Sequence, residues 1–296
     1  MAERIPTILV TGAQGQLGFE LVASLAPFGT VIGADRAMLD LAVADRIVAV
    51  LRAVRPDLIV NAAAYTAVDR AEKEPDLAFA LNARAPRVLA EEAQHSGALL
   101  IHYSTDYVFD GTANTPYTED AAANPLNVYG QSKHEGELAV AATGARSLVL
   151  RTSWVYSGRG SNFLLTMRRL ATQRDEIAVV ADQTGTPNWS RALAAATASL
   201  VEQGLPYLVD RAGLYHLTAQ GETTWHGFAL AIFGDAATPL VRPITTAQYP
   251  TPAQRPAYGV LSARRFEATF GTRLPTWRES LASCLATLPN AAAPSV

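Results

Sequence analysis

Tyr129 and Lys133 stand four residues apart, in the pattern Tyr-x-x-x-Lys. On a helix this spacing places a phenol and an ammonium on one face. The ammonium would lower the pKa of Tyr129 toward the working pH, so that Tyr129 can exchange a proton with a carbonyl oxygen. Thr105 ends a strand-like segment and can hydrogen-bond the same oxygen. A solvated helix face is the alternative interpretation of the pair, and Thr105 favours the catalytic one.

A glycine-rich segment follows the first strand-like run of the chain. The residues of this segment predicted to bind a cofactor are Gly12, Gln14, Gly15, Gln16, Leu17 and Gly18. Backbone N–H groups and the positive end of a helix stabilise a pyrophosphate at such a turn, which side chains would obstruct. Asp35 ends the second strand about 20 residues later, where it can accept hydrogen bonds from ribose hydroxyls. A glycine turn without a ligand is the alternative, and Asp35 favours dinucleotide binding.

Asp35 and Arg36 give opposite indications about the cofactor. The carboxylate of Asp35 would repel the 2′-phosphate of NADPH, which favours NADH. The guanidinium of Arg36 can pair with that phosphate and offset the repulsion. We therefore expect the protein to use NADH or NADPH, with a mild preference for NADH.

Strand-like and helix-like segments alternate through the first half of the chain. The predicted strands of this half are Thr7–Val10, Thr30–Ala34, Asp57–Asn61, Ala98–Ser104 and Ser147–Arg151. This alternation predicts an α/β fold with a doubly wound, Rossmann-like parallel sheet. We expect a dinucleotide-binding domain at 1–156, completed by segments within 184–218. A smaller substrate-binding domain is expected at 157–183 and 219–290, followed by a tail at 291–296.

The composition excludes several classes of protein. The chain has 296 residues, 49% of them apolar, and a net charge of −3. This charge, without any local run of Lys or Arg, argues against nucleic-acid binding. No segment approaches the roughly 20 apolar residues of a membrane span. One cysteine, Cys284, excludes an intramolecular disulfide and is typical of a reducing compartment, so we expect a cytoplasmic protein.

These glycines, Asp35, Thr105, Tyr129 and Lys133 together resemble the extended short-chain dehydrogenase/reductases that act on nucleotide sugars. Longer segments are similar to one family among them, the dTDP-4-dehydrorhamnose reductases. The segments that carry this resemblance are 61–69 (NAAAYTAVD), 103–109 (YSTDYVF), 125–130 (PLNVYG), 151–156 (RTSWVY), 213–217 (GLYHL) and 249–256 (YPTPAQRP). The resemblance extends from about residue 7 to residue 285.

The resemblance implies a catalytic group made of Thr105, Tyr129 and Lys133. Tyr129 and Lys133 would also contact the cofactor. Further cofactor-binding residues implied in this way are Asp40, Leu41, Ala62, Ala63 and Ala64. The residues implied to contact the substrate are Thr66, Val68, Thr105, Asp106, Trp154 and Arg255, the last of them at the nucleotide or diphosphate.

The implied activity is NAD(P)H-dependent reduction of the C4 keto group of dTDP-4-dehydro-β-L-rhamnose, in the synthesis of L-rhamnose. A sugar-nucleotide 4-epimerase and a non-catalytic regulatory subunit remain alternatives. A 4,6-dehydratase is disfavoured, because Tyr107 stands where such enzymes have a glutamate. Some family members dimerise through Mg²⁺. Glu20 fits one ligand, but Arg191 stands where another acid is expected, so a metal is doubtful and the protein is a monomer or a homodimer.

Overall fold

The computed structural model describes residues 5–234 and 239–288, and the predicted tail lies outside this part of the chain. The strands are β1 Thr7–Thr11, β2 Thr30–Ala34, β3 Leu58–Asn61, β4 Leu99–Thr105, β5 Ser147–Thr152, β6 Val155–Tyr156, β7 Glu176–Val180, β8 Thr184–Gly185, β9 Asn188–Trp189, β10 Gly213–His216, β11 Thr223–Thr224 and β12 Leu240–Ile244. The α-helices are α1 Gln16–Leu25, α2 Ala44–Val54, α3 Val68–Ala71, α4 Pro75–Phe79, α5 Ala85–Ser96, α6 Val128–Ala142, α7 Phe163–Ala171, α8 Ser190–Glu202, α9 Leu205–Val209, α10 Trp225–Phe233, α11 Arg264–Phe270 and α12 Trp277–Ala286.

Six strands form the central sheet, in the order β10-β5-β4-β3-β1-β2. Every pairing between neighbours in this sheet is parallel. Both faces are covered, because Leu21 of α1 and Leu193 of α8 belong to one core cluster, while Leu51 of α2 and Leu89 of α5 belong to another. The predicted doubly wound parallel sheet is therefore confirmed. Strands of this kind carry apolar residues on both faces, as β3 and β4 do.

The helix predicted from about Leu77 to Gln94 is interrupted. A single π-helical stretch, Ala80–Arg84, separates α4 from α5. Pro86 has no N–H to donate to the carbonyl of Asn82, and the loss of such a bond is a common cause of a local change in helix winding. The side chain of Asn82 is fully buried here and bonds to the backbone of Tyr65 and to Ser132 of α6. The interruption thus joins α6 to the loop after β3.

The second half of the chain builds a smaller core of its own. Strands β7 and β12 pair in parallel, and the buried side chains of Met167, Phe228 and Trp277 pack in one cluster beside them. Strand β10 comes later in the chain than β7 and nevertheless lies at the edge of the central sheet, next to β5. The expected domain boundaries stay a prediction. No helix within the described residues is long and apolar enough to cross a membrane.

Candidate active site

Thr105, Asp106 and Tyr129 meet where β4 ends. Thr105 is the last residue of β4, and its hydroxyl lies 3.1 Å from Asp106 Oδ1 and accepts the N–H of Tyr107. Tyr129 lies in the first turn of α6, whose N-cap Asn127 accepts the N–H of Gly130 at 2.8 Å. A Cβ on Gly130 would lie 2.2 Å from the carbonyl oxygen of Tyr107, so glycine permits α6 to start this close to the end of β4.

The pKa of Tyr129 is shifted in the direction opposite to that predicted. Burial and the neighbouring carboxyl of Asp106 raise the pKa of Tyr129 to about 12, although the hydroxyl of Thr105 lowers it. Lys133 does not produce the expected decrease, because its Nζ donates to the carbonyl of Tyr103 at 2.5 Å. Tyr129 therefore retains its proton at neutral pH, as a general acid must before it protonates a developing oxyanion.

Lys133 is enclosed between α6 and the sheet. Its side chain is 2% exposed, and burial lowers its pKa to about 8 although Glu137 opposes that change. His102 of β4 is fully buried, and its Nε2 lies 3.5 Å from Lys133 Nζ. A buried lysine of this kind carries a proton that it exchanges more readily than an exposed lysine does.

Asp106 is a buried carboxyl at the end of β4. Its side chain is 2% exposed, and burial raises its pKa to about 7 although hydrogen bonds, first from Thr105, oppose the rise. Within the described residues, its Oδ2 has no hydrogen-bond partner. A Cβ on Gly259 would lie 2.6 Å from that oxygen, so the segment around Gly259 closes over Asp106. The structure therefore leaves a buried carboxyl oxygen beside Thr105 without a partner among the described residues, under the segment around Gly259.

Glu137 and Arg151 form a second buried polar region, one helix turn beyond Lys133. Arg151 Nη2 and Nε donate to the two carboxylate oxygens of Glu137 at 2.6 and 2.8 Å. Burial alone would raise the pKa of Glu137, but hydrogen bonds from Arg151 and His134 outweigh it and lower the pKa to about 2. We call the buried polar residues between α6 and the sheet, His102, Lys133, Glu137 and Arg151, the polar layer.

The glycine turn lies between β1 and α1, as predicted. Gly12 has φ +66°, and a Cβ there would lie 2.9 Å from Cα of Ala63. A Cβ on Gly18 would lie 2.1 Å from the carbonyl oxygen of Gly12, so only glycine allows α1 to approach the turn. No side chain caps the N-terminus of α1, which begins after Gly15, so its first N–H groups remain for an anion.

Three members of the predicted cofactor segment also make contacts within the protein. Gln14 Nε2 donates to Asp35 at 2.9 Å. Gln16 Oε1 accepts from Asn162 at 2.8 Å, which connects the turn to the second half of the chain. The Leu17 side chain is buried in the core, so only its backbone can contact a phosphate.

The residues expected around the adenosine ribose follow β2. Asp35 accepts the N–H of Met38 at 2.9 Å, and its carboxylate therefore has a defined orientation at the end of the strand. Arg36 is largely exposed and pairs loosely with Asp40, at 3.7 Å. The side chain of Leu41 is buried in the core between the sheet and α2. Asp35 and Arg36 thus present opposite charges at one edge of the site, as the sequence indicates.

The loop after β3 runs from the glycine turn toward the end of β4. Half-buried Ala62 to Ala64 lie nearest the glycine turn, and the predicted substrate residues Thr66 and Val68 follow them. Arg255 comes from the second half of the chain and pairs with Asp69 of α3, with Nη2 2.9 Å from Oδ2. The guanidinium of Arg255 therefore lies beside the loop after β3 and is already paired with Asp69. A phosphate bound there would share the guanidinium with the carboxylate of Asp69.

Trp154 follows β5 at the same edge of the sheet. It has φ +42°, which is a rare conformation for a bulky side chain. Its ring stacks on Trp225 with centroids 3.6 Å apart, and a Cβ on Gly185 would lie 2.5 Å from the indole. Asn188 donates its backbone N–H to the carbonyl of Trp154 at 3.1 Å. Trp225 thus covers one face of the indole and Gly185 packs against the ring as well, so Trp154 offers a ligand only the part of its ring that these two residues leave exposed.

Glu20 and Arg191, the residues at the possible Mg²⁺ position, form an ion pair with each other. Arg191 Nε donates to Glu20 Oε2 at 2.9 Å, so this carboxylate is neutralised by a guanidinium. Across residues 5–234 and 239–288, no three His, Cys, Asp or Glu side chains are grouped as metal ligands. The donor set of the described residues does not fit a divalent cation.

Asn61, Asn82 and His102 are polar residues of the site region that the sequence patterns do not identify as functional. Each is buried, at 0–1% exposure, and bonds to another buried polar side chain. An Asn or His inside an apolar strand or helix is the signal that could have found them, since a buried polar group needs a partner.

The fold and the site together define a dinucleotide-dependent oxidoreductase of the Rossmann type. The features that define it are the parallel sheet, the glycine turn after β1 and the group formed by Thr105, Tyr129 and Lys133. The family model described as the RmlD substrate binding domain matches residues 6–290. The dTDP-4-dehydrorhamnose reductase of Burkholderia thailandensis is 46% identical over 290 residues, with 94% of this chain and 97% of that protein covered. The chain belongs to the dTDP-4-dehydrorhamnose reductase family.

Two further relatives agree with this assignment. The dTDP-4-dehydrorhamnose reductase of Escherichia coli K12 is 44% identical over 282 residues, with 92% of this chain and 94% of that protein covered. The crystal structure of the Bacillus anthracis reductase, in complex with NADP, has a TM-score of 0.90 at 35% identity, with 96% of this chain and 99% of that chain covered. The predicted family is confirmed.

Proposed function

We propose that this protein reduces the C4 keto group of dTDP-4-dehydro-β-L-rhamnose to give dTDP-β-L-rhamnose, with NADH or NADPH as the reductant. Family membership supports the reaction. The observation that carries the proposal for this chain is the meeting of Thr105, Asp106 and a protonated Tyr129 at the end of β4, on the edge of the sheet that also bears the glycine turn. Ligands of open parallel sheets bind at this edge.

The glycine turn and Asp35 fit a dinucleotide. Gly12 and Gly18 carry no side chain at the turn before the uncapped start of α1, and Asp35 directly follows the neighbouring strand β2. The same positions would hold the pyrophosphate and the ribose, with Ala62 to Ala64 along one side. When bound, the cofactor supplies a hydride to the C4 carbon of the sugar.

Tyr129 supplies the proton that balances the hydride. Its raised pKa keeps the phenol protonated until negative charge develops on the C4 oxygen, and the phenol O–H bond then breaks as the new O–H bond forms. Thr105 supplies a second hydrogen bond to that oxygen. Lys133 would hold the nicotinamide ribose and lower the cost of the phenolate that remains.

The substrate wall combines groups of both halves of the chain. Thr66 precedes α3 and Val68 begins it, Asp106 and Trp154 follow β4 and β5, and Arg255 is paired with Asp69. We assign the sugar hydroxyls to Asp106, an edge contact with the sugar to Trp154 and the nucleotide or diphosphate to Arg255.

Product analysis distinguishes this proposal from the two alternatives. The purified protein should consume NADH or NADPH when dTDP-4-dehydro-β-L-rhamnose is added, with one dTDP-β-L-rhamnose formed per cofactor oxidised. A 4-epimerase would interconvert two sugars without net consumption of cofactor. A non-catalytic subunit would bind nucleotide and give no product. Either of these results would refute the reductase proposal.

The partner and location of the protein follow as further proposals. We propose a dTDP-sugar as its small-molecule partner, and the cytoplasm, where NADH and NADPH are produced, as its compartment. Monomer and homodimer both remain compatible with the site, since every residue assigned here belongs to one chain.

A further inference from the structure

Four buried polar side chains form a row from the glycine turn to Lys133. Thr11 Oγ1, on β1, lies 2.6 Å from Asn61 Oδ1, and Asn61 Nδ2 lies 2.9 Å from His102 Nδ1. His102 Nε2 lies 3.5 Å from Lys133 Nζ. None of these four residues is more than 2% exposed, so each hydrogen position matters to its neighbour.

The distances in this row favour one position for the proton of the His102 imidazole. The separation of 2.6 Å between Thr11 and Asn61 is typical of an O–H···O bond and short for N–H···O. Thr11 therefore donates to the amide oxygen, while its own oxygen accepts the N–H of Ala63 at 3.3 Å. The amide nitrogen of Asn61 then donates to His102 Nδ1, and the proton of a neutral imidazole must be on Nε2.

We propose that His102 is a positioning residue for Lys133, with its Nε2–H held toward the lysine amine by Asn61. Two N–H donors cannot form a hydrogen bond, so the ammonium turns to the carbonyl of Tyr103, which it contacts at 2.5 Å. The imidazole N–H dipole also makes the ammonium easier to deprotonate. The inference rests on the role of Lys133 in the proposed function.

The other groups around Lys133 do not account for this orientation. Glu137 on α6 attracts the ammonium but is paired with Arg151 of β5. Tyr129, on the preceding turn of α6, and Asp106, after β4, are titratable groups on the side of the site. Burial and Lys133 both lower the pKa of His102 well below its usual value, so that His102 stays neutral and keeps one N–H.

The sequence makes a direct measurement possible. The chain contains two lysines, Lys133 and the exposed Lys73, so a sample with isotopically labelled lysine gives two side-chain signals, and Lys73 serves as the internal reference. Imidazole ¹⁵N shifts report the tautomer, and the signal missing in His102→Phe identifies His102. We expect a neutral His102 with the proton on Nε2, and a Lys133 that loses its proton at lower pH than Lys73. A proton on Nδ1, or a charged His102 at neutral pH, would overturn the proposal.

Reversing the tautomer tests the effect on Lys133. In Asn61→Asp the carboxylate must accept from Nδ1–H, so Nε2 becomes an acceptor for the ammonium, and the pKa of Lys133 should rise by about one unit. The same substitution in a His102→Phe background should give less than half of that rise. An equal rise in both backgrounds would mean that the new carboxylate acts directly on Lys133, and the proposal would be wrong.

These titrations use the resting protein and do not depend on turnover. A protein with the expected tautomer but no reductase activity would refute the proposed function and leave the positioning role standing. An active reductase with the opposite tautomer would support the proposed function and refute the positioning role of His102. If Asn61→Asp does not fold, the imidazole spectrum of the unsubstituted protein still decides the assignment.

Discussion

Asp106 and Glu137 are both buried carboxyls near Tyr129 and Lys133, and their environments differ in one respect. Glu137 lies in the closed polar layer and is paired with Arg151, which lowers its pKa to about 2. Asp106 lies at the end of β4 without a cation, and burial raises its pKa to about 7. Burial disfavours the charge on both, and only a paired cation reverses that effect. The Glu137–Arg151 pair therefore serves the folded state, while the end of β4, within the described residues, holds the unpaired groups that the proposed chemistry uses.

Substitution of Tyr129 should affect catalysis and leave folding almost unchanged. Tyr129→Phe removes the proton donor at the end of β4, and kcat should fall by about 10²–10⁴-fold, the usual contribution of general acid catalysis. Tyr207→Phe, which removes a phenol hydroxyl that bonds to the backbone of Thr269, is the matched control. Steady-state kinetics and melting temperatures of both variants check this. A Tyr129→Phe enzyme with normal kcat would remove Tyr129 from the mechanism.

Glu137→Gln should have the opposite profile, with a large loss of stability. The substitution leaves Arg151, which is 3% exposed, as a buried and unpaired charge. Removing one partner of a buried ion pair costs about 3–5 kcal/mol. Urea unfolding measures this loss, with Glu135→Gln on the same helix as the control. If the free energy of unfolding of Glu137→Gln were within about 1 kcal/mol of that of the original protein, water would reach the polar layer. The proposed difference between Glu137 and Asp106 would then be wrong.

Asp106→Asn should change how stability depends on pH. Because its pKa is raised from 3.8 in the unfolded chain to about 7, Asp106 stabilises the folded state fully below the unfolded value and loses this contribution as the pH rises through 7. The variant has no carboxyl here that loses a proton. The difference in free energy of unfolding between the variant and the original protein should therefore change in favour of the variant by on the order of 1–3 kcal/mol from about pH 5 to about pH 8. Thermal unfolding at both pH values tests this. Parallel pH profiles of the two proteins would mean that Asp106 is not buried as described.

The smallest expected effect concerns the cofactor. Asp35 is oriented by Met38 and Gln14, whereas Arg36 is exposed and loosely paired, so the carboxylate should dominate slightly. We expect kcat/KM for NADH to exceed that for NADPH by less than about tenfold, or about 1.4 kcal/mol. Asp35→Asn should move the preference toward NADPH. A preference of the original protein for NADPH above tenfold would assign control to Arg36.

Much of the fold could be predicted from local patterns. The strands of the sheet are short apolar runs, and the glycines with Asp35 have a fixed place in a strand-turn-helix unit. The position of β10 beside β5 depends on contacts between distant residues, which no local pattern contains. The sequence does not reveal the π-helical stretch before α5, because a proline such as Pro86 is also common in the first turn of an ordinary α-helix.

The candidate site was predicted in its residue types more fully than in its electrostatics. Helical spacing correctly indicates that Tyr129 and Lys133 belong to α6. It cannot show that a carbonyl of β4 takes the hydrogen bond of Lys133, or that Asp106 raises the pKa of Tyr129. The positive φ of Trp154 is likewise invisible in the sequence, because Asn188 and Trp225 maintain it from distant positions.

The placement of β10 and α8 has a consequence for protein engineering. Both elements follow residue 156, yet β10 covers the edge of β5, and Leu193 of α8 covers the apolar face of α1. A fragment ending at 156 would expose β5 to pairing with other chains and would present Leu21 and Leu25 to water, which favours aggregation. Transplanting cofactor specificity between relatives by exchange of this part therefore requires residues 190–216 to be exchanged with it.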